Sequence, residues 1–132
     1  MAIDRTQLLS RTARRYKLVA LPTGGEAKIK NMTTGEMRAL RQSMQDPKGE
    51  LIRKRSARLF EYLVAGCLVD DSDHLILCDA DVTKGELDNI DGADLTALVE
   101  ACKAFTGFAH DGDWSAIEDA AKNSASTPAN SS

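Results

Sequence analysis

Aromatic residues, proline and cysteine are all scarce in this 132-residue sequence, and it has no long hydrophobic run. With one Trp, two Tyr and three Phe, the core must consist mostly of Leu, Val, Ile, Ala and Met. No apolar stretch approaches the roughly 18 residues of a membrane-spanning helix, so we expect a soluble protein with no membrane partner. The N-terminal segment lacks the apolar centre of a secretory signal, and the length suits one domain better than two.

The three cysteines, Cys67, Cys78 and Cys102, are an odd number and lie far apart in the sequence. This usage favours reduced thiols in a cytoplasm over a disulfide framework. Cys67, His74 and Cys78 do not form a zinc motif, because there is no C-x2-C pair and no fourth ligand at a usual spacing. We therefore predict no metal site and interpret these cysteines as buried core residues.

The sequence also lacks a catalytic or calcium-binding motif. Asp79, Asp81 and Thr83 match the first ligand positions of an EF-hand loop, but Lys84 stands where that loop needs Gly and Ile90 where it needs Glu. There is no nucleophile elbow and no glycine-rich phosphate loop. We therefore expect a protein that is not an enzyme, with no catalytic residues and no cofactor, and keep an enzyme only as a third alternative.

Two short segments near the N-terminus predict a β-hairpin over residues 16–31. Residues 16–21 and 27–31 have the alternation and composition of strands, and Pro22-Thr23-Gly24-Gly25 between them suits a turn. An isolated hairpin is only marginally stable, so we expect this one to pack on helices. The preceding residues 3–15 predict a weak helix with a basic outer surface.

Two S/T-x-x-E capping boxes, at residues 33–36 and 83–86, mark predicted helix starts. The first helix should end before Asp46-Pro47. The second should have at most two turns, because Asp91-Gly92 breaks it. Between them, the apolar spacing predicts one long central helix from about Gly49 to Val69.

The clearest amphipathic stripe consists of Leu95, Leu98, Val99, Cys102 and Phe105. It predicts a helix with one apolar side, which a glycine at position 107 ends.

The chain after this helix offers fewer signals. Trp114, Ile117 and Ala121 suggest a short last helix capped by Asp113, and the polar residues that follow should be disordered. The predicted fold is therefore mainly α with a small N-terminal β-hairpin (α+β) in a single compact domain. Its parts are a basic N-terminal segment (1–15), a helical domain with the hairpin (16–121) and a disordered tail (122–132).

Charge is divided unevenly along the chain. Residues 1–60 hold 14 Lys and Arg against five Asp and Glu, whereas residues 61–132 hold three against 15. Net charges of +9 and −12 either neutralise each other inside the fold or present opposite faces to neighbouring molecules. We predict that one contact surface is basic (Arg53, Lys54, Arg55, Arg58) and that the opposing one is acidic (Asp70, Asp71, Asp73, Asp79, Asp81).

The basic half also permits an alternative function, a small nucleic-acid-binding or regulatory protein. The cations of residues 53–58, with Arg11, Arg14, Arg15 and Lys17, could displace counterions from phosphates. However, aromatic residues for base stacking are few, and the acidic half would repel a polyanion. Nucleic acid is therefore the less favoured partner.

Several segments in their order along residues 15–108 resemble the tail assembly chaperones of long-tailed bacteriophages and prophages. They are the hairpin, the step Ile29-Lys30-Asn31-Met32-Thr33-Thr34-Gly35-Glu36-Met37, the Arg-rich segment leading into Leu63-Val64-Ala65-Gly66-Cys67-Leu68-Val69-Asp70, and the final L-x-x-L-x-x-A-x-x-A helix. The acidic stretch after Asp70 is a departure, since Ser72-Asp73-His74 replaces the Gly of a shorter Asp-Gly turn.

The resemblance implies a chaperone in the bacterial host cytoplasm that coats the helical tape-measure protein until tail tube protein replaces it. It also implies self-association into spirals or rings, and often an elongated form made by frameshifting near the end of the reading frame. The charge asymmetry is compatible with this function, because a basic half that meets the acidic half of the next copy gives an open head-to-tail contact.

Overall fold

A computed structural model describes residues 2–11, 14–108 and 117–119 of the chain. The elements in chain order are α1 (Arg5–Ser10), β1 (Tyr16–Ala20), β2 (Glu26–Lys30), α2 (Thr34–Ser43), α3 (Arg53–Ser56), α4 (Leu59–Cys67), β3 (Leu68–Val69), α5 (Asp79–Thr83), a 3₁₀ turn (Glu86–Asn89) and α6 (Gly92–Thr106). Residues 117–119 are also helical. Among the described residues, no helix is both long enough and apolar enough to cross a membrane.

The predicted hairpin is confirmed, and it belongs to a three-stranded antiparallel sheet in the order β1-β2-β3. Its third strand pairs Leu68 with Ile29 and was not predicted, because two residues are too few to show alternation. The hairpin packs on helices as expected. Val19 and Ile29 lie in the core, and the turn residue Thr23 donates from its amide and its hydroxyl to the Asp94 carboxylate of α6.

The capping box at residues 33–36 is confirmed. The Thr33 hydroxyl accepts from the Glu36 amide at 3.2 Å, and the Glu36 carboxylate accepts from the Thr33 amide at 2.9 Å. These bonds satisfy backbone donors that the first turn of a helix leaves free, and α2 begins there. The weak N-terminal helix is also present as α1, shorter than expected and with no buried residue.

The prediction of one continuous helix from Gly49 to Val69 is wrong. Gly49 lies in a turn, and the helix is divided at Ala57 and Arg58 into α3 and α4. Arg58 leaves helical geometry with φ −110° and ψ 23°, and its side chain bonds to carboxylates that include Asp88, 30 residues later. Such a long-range contact cannot be read from helical spacing. Val69 is lost from the helix because β3 pairs with β2.

The prediction that the second capping box, at residues 83–86, starts a helix is also wrong. Thr83 is the last residue of α5, which the sequence pattern did not predict, and its hydroxyl donates to the Asp79 carbonyl oxygen at 3.0 Å. The following Glu86 begins only a 3₁₀ turn, which has no side-chain cap. Asp91 does not simply break a helix but caps the next one, since its carboxylate accepts from the amides of Ala93 and Asp94.

The amphipathic helix α6 is confirmed, and Gly107 ends it with φ 70°. Leu98 and Cys102 are buried and the other stripe residues are half-buried. The predicted last helix lies largely outside the described residues, although Ile117 is helical and buried. The predicted disordered tail lies entirely outside them.

Helix α4 is the centre of the core, as expected for the middle of the chain. It packs most extensively on α6 and also contacts α5.

The α+β prediction is confirmed. The residues that share the core are Val19, Ile29, Met37, Met44, Leu59, Tyr62, Leu63, Val64, Ala65, Cys67, Leu68, Val82, Leu87, Leu98, Cys102, Phe108 and Ile117.

Candidate protein-binding groove

The four predicted basic contact residues are brought together by the structure. They line an open groove of about 700 Å³ along α3 and the start of α4. The groove lies along the break between the two helices, which the prediction of one continuous helix did not include. Its lining residues are Ile52, Arg53, Lys54, Arg55, Ala57, Arg58, Tyr62 and Thr83.

Arg55 is held inside the fold. Its Nε donates to the Ser43 carbonyl oxygen at 2.9 Å, its Nη2 lies 3.3 Å from Asp79 Oδ2, and its guanidinium lies 4.1 Å from the centre of the Tyr62 ring. The Tyr62 hydroxyl bonds to the Thr83 hydroxyl at 2.9 Å. Arg55 therefore ties α2, α4 and α5 together, and its charge is already partly balanced.

Arg58 is also paired inside the molecule. Its Nη1 lies 3.1 Å from Glu61 Oε1 and 3.2 Å from Asp88 Oδ1. The hydrogen bond to Asp88 raises the pKa of Arg58 above its usual value, and the negative charges of Glu61 and Asp88 add to this effect. Burial raises the pKa of Glu61 despite the nearby guanidinium. Arg58 thus links α4 to the 3₁₀ turn.

Arg53 and Lys54 differ from these two cations. Both are exposed, and neither forms an ion pair with a described residue. The predicted basic surface therefore contains two structural cations and two cations available to a partner at the edge of an apolar groove.

The acidic residues are more dispersed than predicted. Asp70 accepts from the amides of Ser72 and His74, and these bonds lower its pKa, with the His74 amide contributing most. Asp73 pairs with Lys28 at 2.5 Å.

Two further carboxylates of the predicted acidic surface lie on helix α5 itself. Asp79 pairs with Arg55, and Asp81 accepts from the Cys78 amide at 2.8 Å. This leaves Asp71, which is exposed and forms no hydrogen bond or ion pair with a described residue.

A feature that the sequence interpretation missed is the exposed apolar pair Leu75 and Ile76. They are 49% and 51% exposed and border a second groove of about 420 Å³. Asp79 and Asp81 line the same groove. The sequence showed this pair only as an apolar run with aspartates before and after it, in a loop too short to bury the run.

Several ion pairs join the basic half of the chain to the acidic half. They connect Lys28 with Asp73, Arg55 with Asp79, and Arg58 with both Glu61 and Asp88. Part of the charge asymmetry is therefore neutralised within one molecule, which is the first of the two outcomes expected for it. The second outcome, in which opposite charges face neighbouring molecules, can involve only the cations and carboxylates that have no ion pair with a described residue.

The cysteines are free, and Cys67 and Cys102 are buried as expected. Burial of Cys78 was expected as well, and this is wrong, because Cys78 is exposed at the start of α5. The neighbouring Cys67 and burial together raise the pKa of Cys102. Within the described part of the chain, no three His, Cys, Asp or Glu side chains are grouped in a way that could hold a metal ion.

Comparisons of the chain with protein-family models, curated proteins and solved structures give no match.

Proposed function

We propose that this protein is a non-enzymatic tail assembly chaperone of a bacteriophage or prophage. In this proposal it binds the tape-measure protein in the host cytoplasm, associates with further copies of itself, and gives way to the tail tube protein. The observation that carries the proposal is the groove, in which the apolar side chains of Ile52, Ala57 and Tyr62 lie beside Arg53 and Lys54. These two cations form no ion pair with any residue that the structure describes.

Such a groove suits an amphipathic helix with acidic residues beside its apolar face. Burial of apolar side chains supplies most of the affinity, at roughly 25 cal/mol per Å². Each exposed ion pair adds at most about 1 kcal/mol. The charges of Arg53 and Lys54 therefore orient the partner and speed its encounter more than they hold it.

Self-association would use the exposed apolar pair of a second copy. Leu75 and Ile76 are exposed and line the second groove together with Asp79 and Asp81, so this surface combines apolar and acidic groups, whereas the first groove combines apolar and basic ones. Contact between two different surfaces repeats without closing, unlike a twofold dimer. Of the predicted acidic residues, Asp73 and Asp79 are paired with cations of the same molecule, whereas Asp70, Asp71 and Asp81 form no ion pair with a described residue and keep their charge for a second copy.

The test is co-expression with the tape-measure protein that the proposal requires, which we expect to be a long helical protein encoded next to this gene. We expect that protein to be soluble when the full chain is present and to precipitate without it. The double variant Arg53→Glu with Lys54→Glu should lose this effect. A matched control, Arg38→Glu with Lys48→Glu, makes the same change of charge at exposed positions outside the groove and should retain it. Equal behaviour of both variants would count against the groove, and no solubilisation by the wild type would refute the function.

Light scattering separates this function from the nucleic-acid alternative, which the unpaired cations also favour. Growth of the particle with protein concentration alone supports the chaperone. Growth only after addition of duplex DNA, with a steep loss on adding salt, supports the alternative instead.

A further inference from the structure

One edge of the sheet is open. β1 pairs with β2 on one side, and no strand of the described residues lies on its other side. β1 has five residues, which is an ordinary length for a strand. An open edge of this length presents backbone donors and acceptors that another strand can use.

The register identifies which backbone groups face outwards. Asn31 donates to the Arg15 carbonyl oxygen, and Leu21 donates to that of Gly25. Since bonded and non-bonded pairs alternate in an antiparallel ladder, Lys17 and Val19 also bond to β2. The amides and carbonyls of the residues between them point away from β2 into the open edge. These residues are Tyr16, Leu18 and Ala20.

The side chains along this edge are apolar on the outer face of the sheet. Tyr16 is 41% exposed and Leu18 is 57% exposed. Leu18 stands in a row with Lys28, Val69 and Leu75, because each is directly opposite the next and opposite residues share a face. Val69 is buried there although it lies outside the main core. The outer face thus offers Tyr16 and Leu18 at the open edge, and Lys28 interrupts the apolar row behind them. The Lys28 ammonium group lies 4.8 Å from the centre of the Tyr16 ring and pairs with Asp73.

The charges along the edge are basic. Lys17 is exposed and has no ion pair with a described residue. Arg15 is exposed as well and lies over the Phe105 ring at 4.7 Å, which does not neutralise it. A second copy of β1 would bring the same cations against these, whereas carboxylates would be attracted. A lysine on an edge strand also discourages pairing with identical edges.

We propose that β1 binds an extended segment of a partner protein in which apolar and acidic residues alternate. The segment adds a fourth strand to the sheet. Its apolar side chains lie beside Tyr16 and Leu18, and an acidic side chain faces Lys17 on the opposite face. This site is separate from the groove and does not depend on the function proposed for it.

The test is amide hydrogen exchange measured by NMR on the full chain, with a short peptide that alternates valine and glutamate. Exchange should slow about tenfold or more at Tyr16, Leu18 and Ala20. Lys17 and Val19 should change little, since β2 already protects them. A peptide that alternates valine and lysine is the control and should have no effect. Protection that does not distinguish Tyr16, Leu18 and Ala20 from Lys17 and Val19 would overturn the proposal. Protection that appears at high protein concentration without peptide would overturn it as well.

Substitutions at Leu18 test the backbone bond directly. Leu18→Pro removes an outward-facing amide and leaves the bonds to β2 in place, because proline is tolerated where its nitrogen faces away from the ladder. It also replaces the leucine side chain by a smaller apolar ring, and Leu18→Val is the control for that loss because it shortens the side chain and keeps the amide. Leu18→Pro should weaken the peptide about tenfold, while Leu18→Val should leave binding within about twofold. If Leu18→Pro does not fold, Lys17→Glu replaces it and should transfer binding from the glutamate peptide to the lysine peptide. Unchanged preference would refute the proposed recognition.

Discussion

Glu36 is a helix cap and also belongs to a half-buried hydrogen-bond network. Its two carboxylate oxygens accept from Arg14 at 2.8 and 3.1 Å, and Arg14 also donates to the Asn31 carbonyl oxygen at 2.6 Å. The Arg14 hydrogen bond is the main cause that lowers the pKa of Glu36 from 4.5 to about 2, and the backbone bond from Thr33 assists. The Glu36 carboxylate and the Arg14 guanidinium bound to it therefore connect the segment before β1, the end of β2 and the start of α2.

Glu36→Gln should destabilise the protein at neutral pH. The folded state lowers this pKa, so the ionised carboxylate stabilises folding fully above pH 4.5, and the effect disappears as pH falls to about 2. Because the side chain is 36% exposed, solvent screening limits the loss to about 1 kcal/mol. Urea unfolding at several pH values measures it. Glu26→Gln, at an exposed site, is the control, and a loss for Glu36→Gln that is independent of pH would contradict this account.

The turn between α5 and the 3₁₀ turn depends on Gly85. Its φ is +78°, and an added Cβ would lie 3.0 Å from Asp88 Oδ2. The other oxygen of this carboxylate, Oδ1, pairs with Arg58. Gly49 has a similar φ of +84° but open space around it. The two glycines thus share a backbone requirement and differ in the space available to a side chain.

Gly85→Ala should therefore cost more than Gly49→Ala. The left-handed conformation costs a non-glycine residue about 1 kcal/mol, which both variants incur. Gly85→Ala must also push the Asp88 carboxylate aside by a few tenths of an ångström, which strains its pair with Arg58 and adds at most about 1 kcal/mol. Urea midpoints of the two variants measure the difference. Equal losses would show that Asp88 moves without cost and that the Arg58 pair contributes little.

Features set by neighbouring residues were predictable from sequence, and features set by distant ones were not. Two S/T-x-x-E patterns have the same spacing, but only Thr33 caps a helix. The Thr83 hydroxyl bonds instead to Asp79 and Tyr62. The same holds at the groove. The basic run predicted which cations gather there. Of the carboxylates that pair with them, Glu61 lies only three residues after Arg58, but Asp79 and Asp88 come 24 residues after Arg55 and 30 after Arg58.

The opposite charges of the two halves have two separable effects on the whole molecule. Cations paired with the acidic half hold distant elements together, as Arg58 does for α4 and the 3₁₀ turn. Arg53 and Lys54, which form no ion pair with a described residue, should contribute little to folding. Net charge by sequence segment cannot distinguish these two groups, since both lie within one basic run, and only the positions of the carboxylates separate them.

Neutralising one cation of each kind distinguishes folding from binding. Arg58→Gln leaves the half-buried Glu61 and its neighbour Asp88 without their cation, so it should lower the free energy of unfolding by about 1–2 kcal/mol. Lys54→Gln should change it by less than about 0.5 kcal/mol, yet under the proposed function it should weaken binding of a tape-measure protein. Urea unfolding and the co-expression assay measure the two effects on the same pair of variants. If Lys54→Gln proved the more destabilising, the groove cations would serve the fold, and the case for a binding surface there would fail.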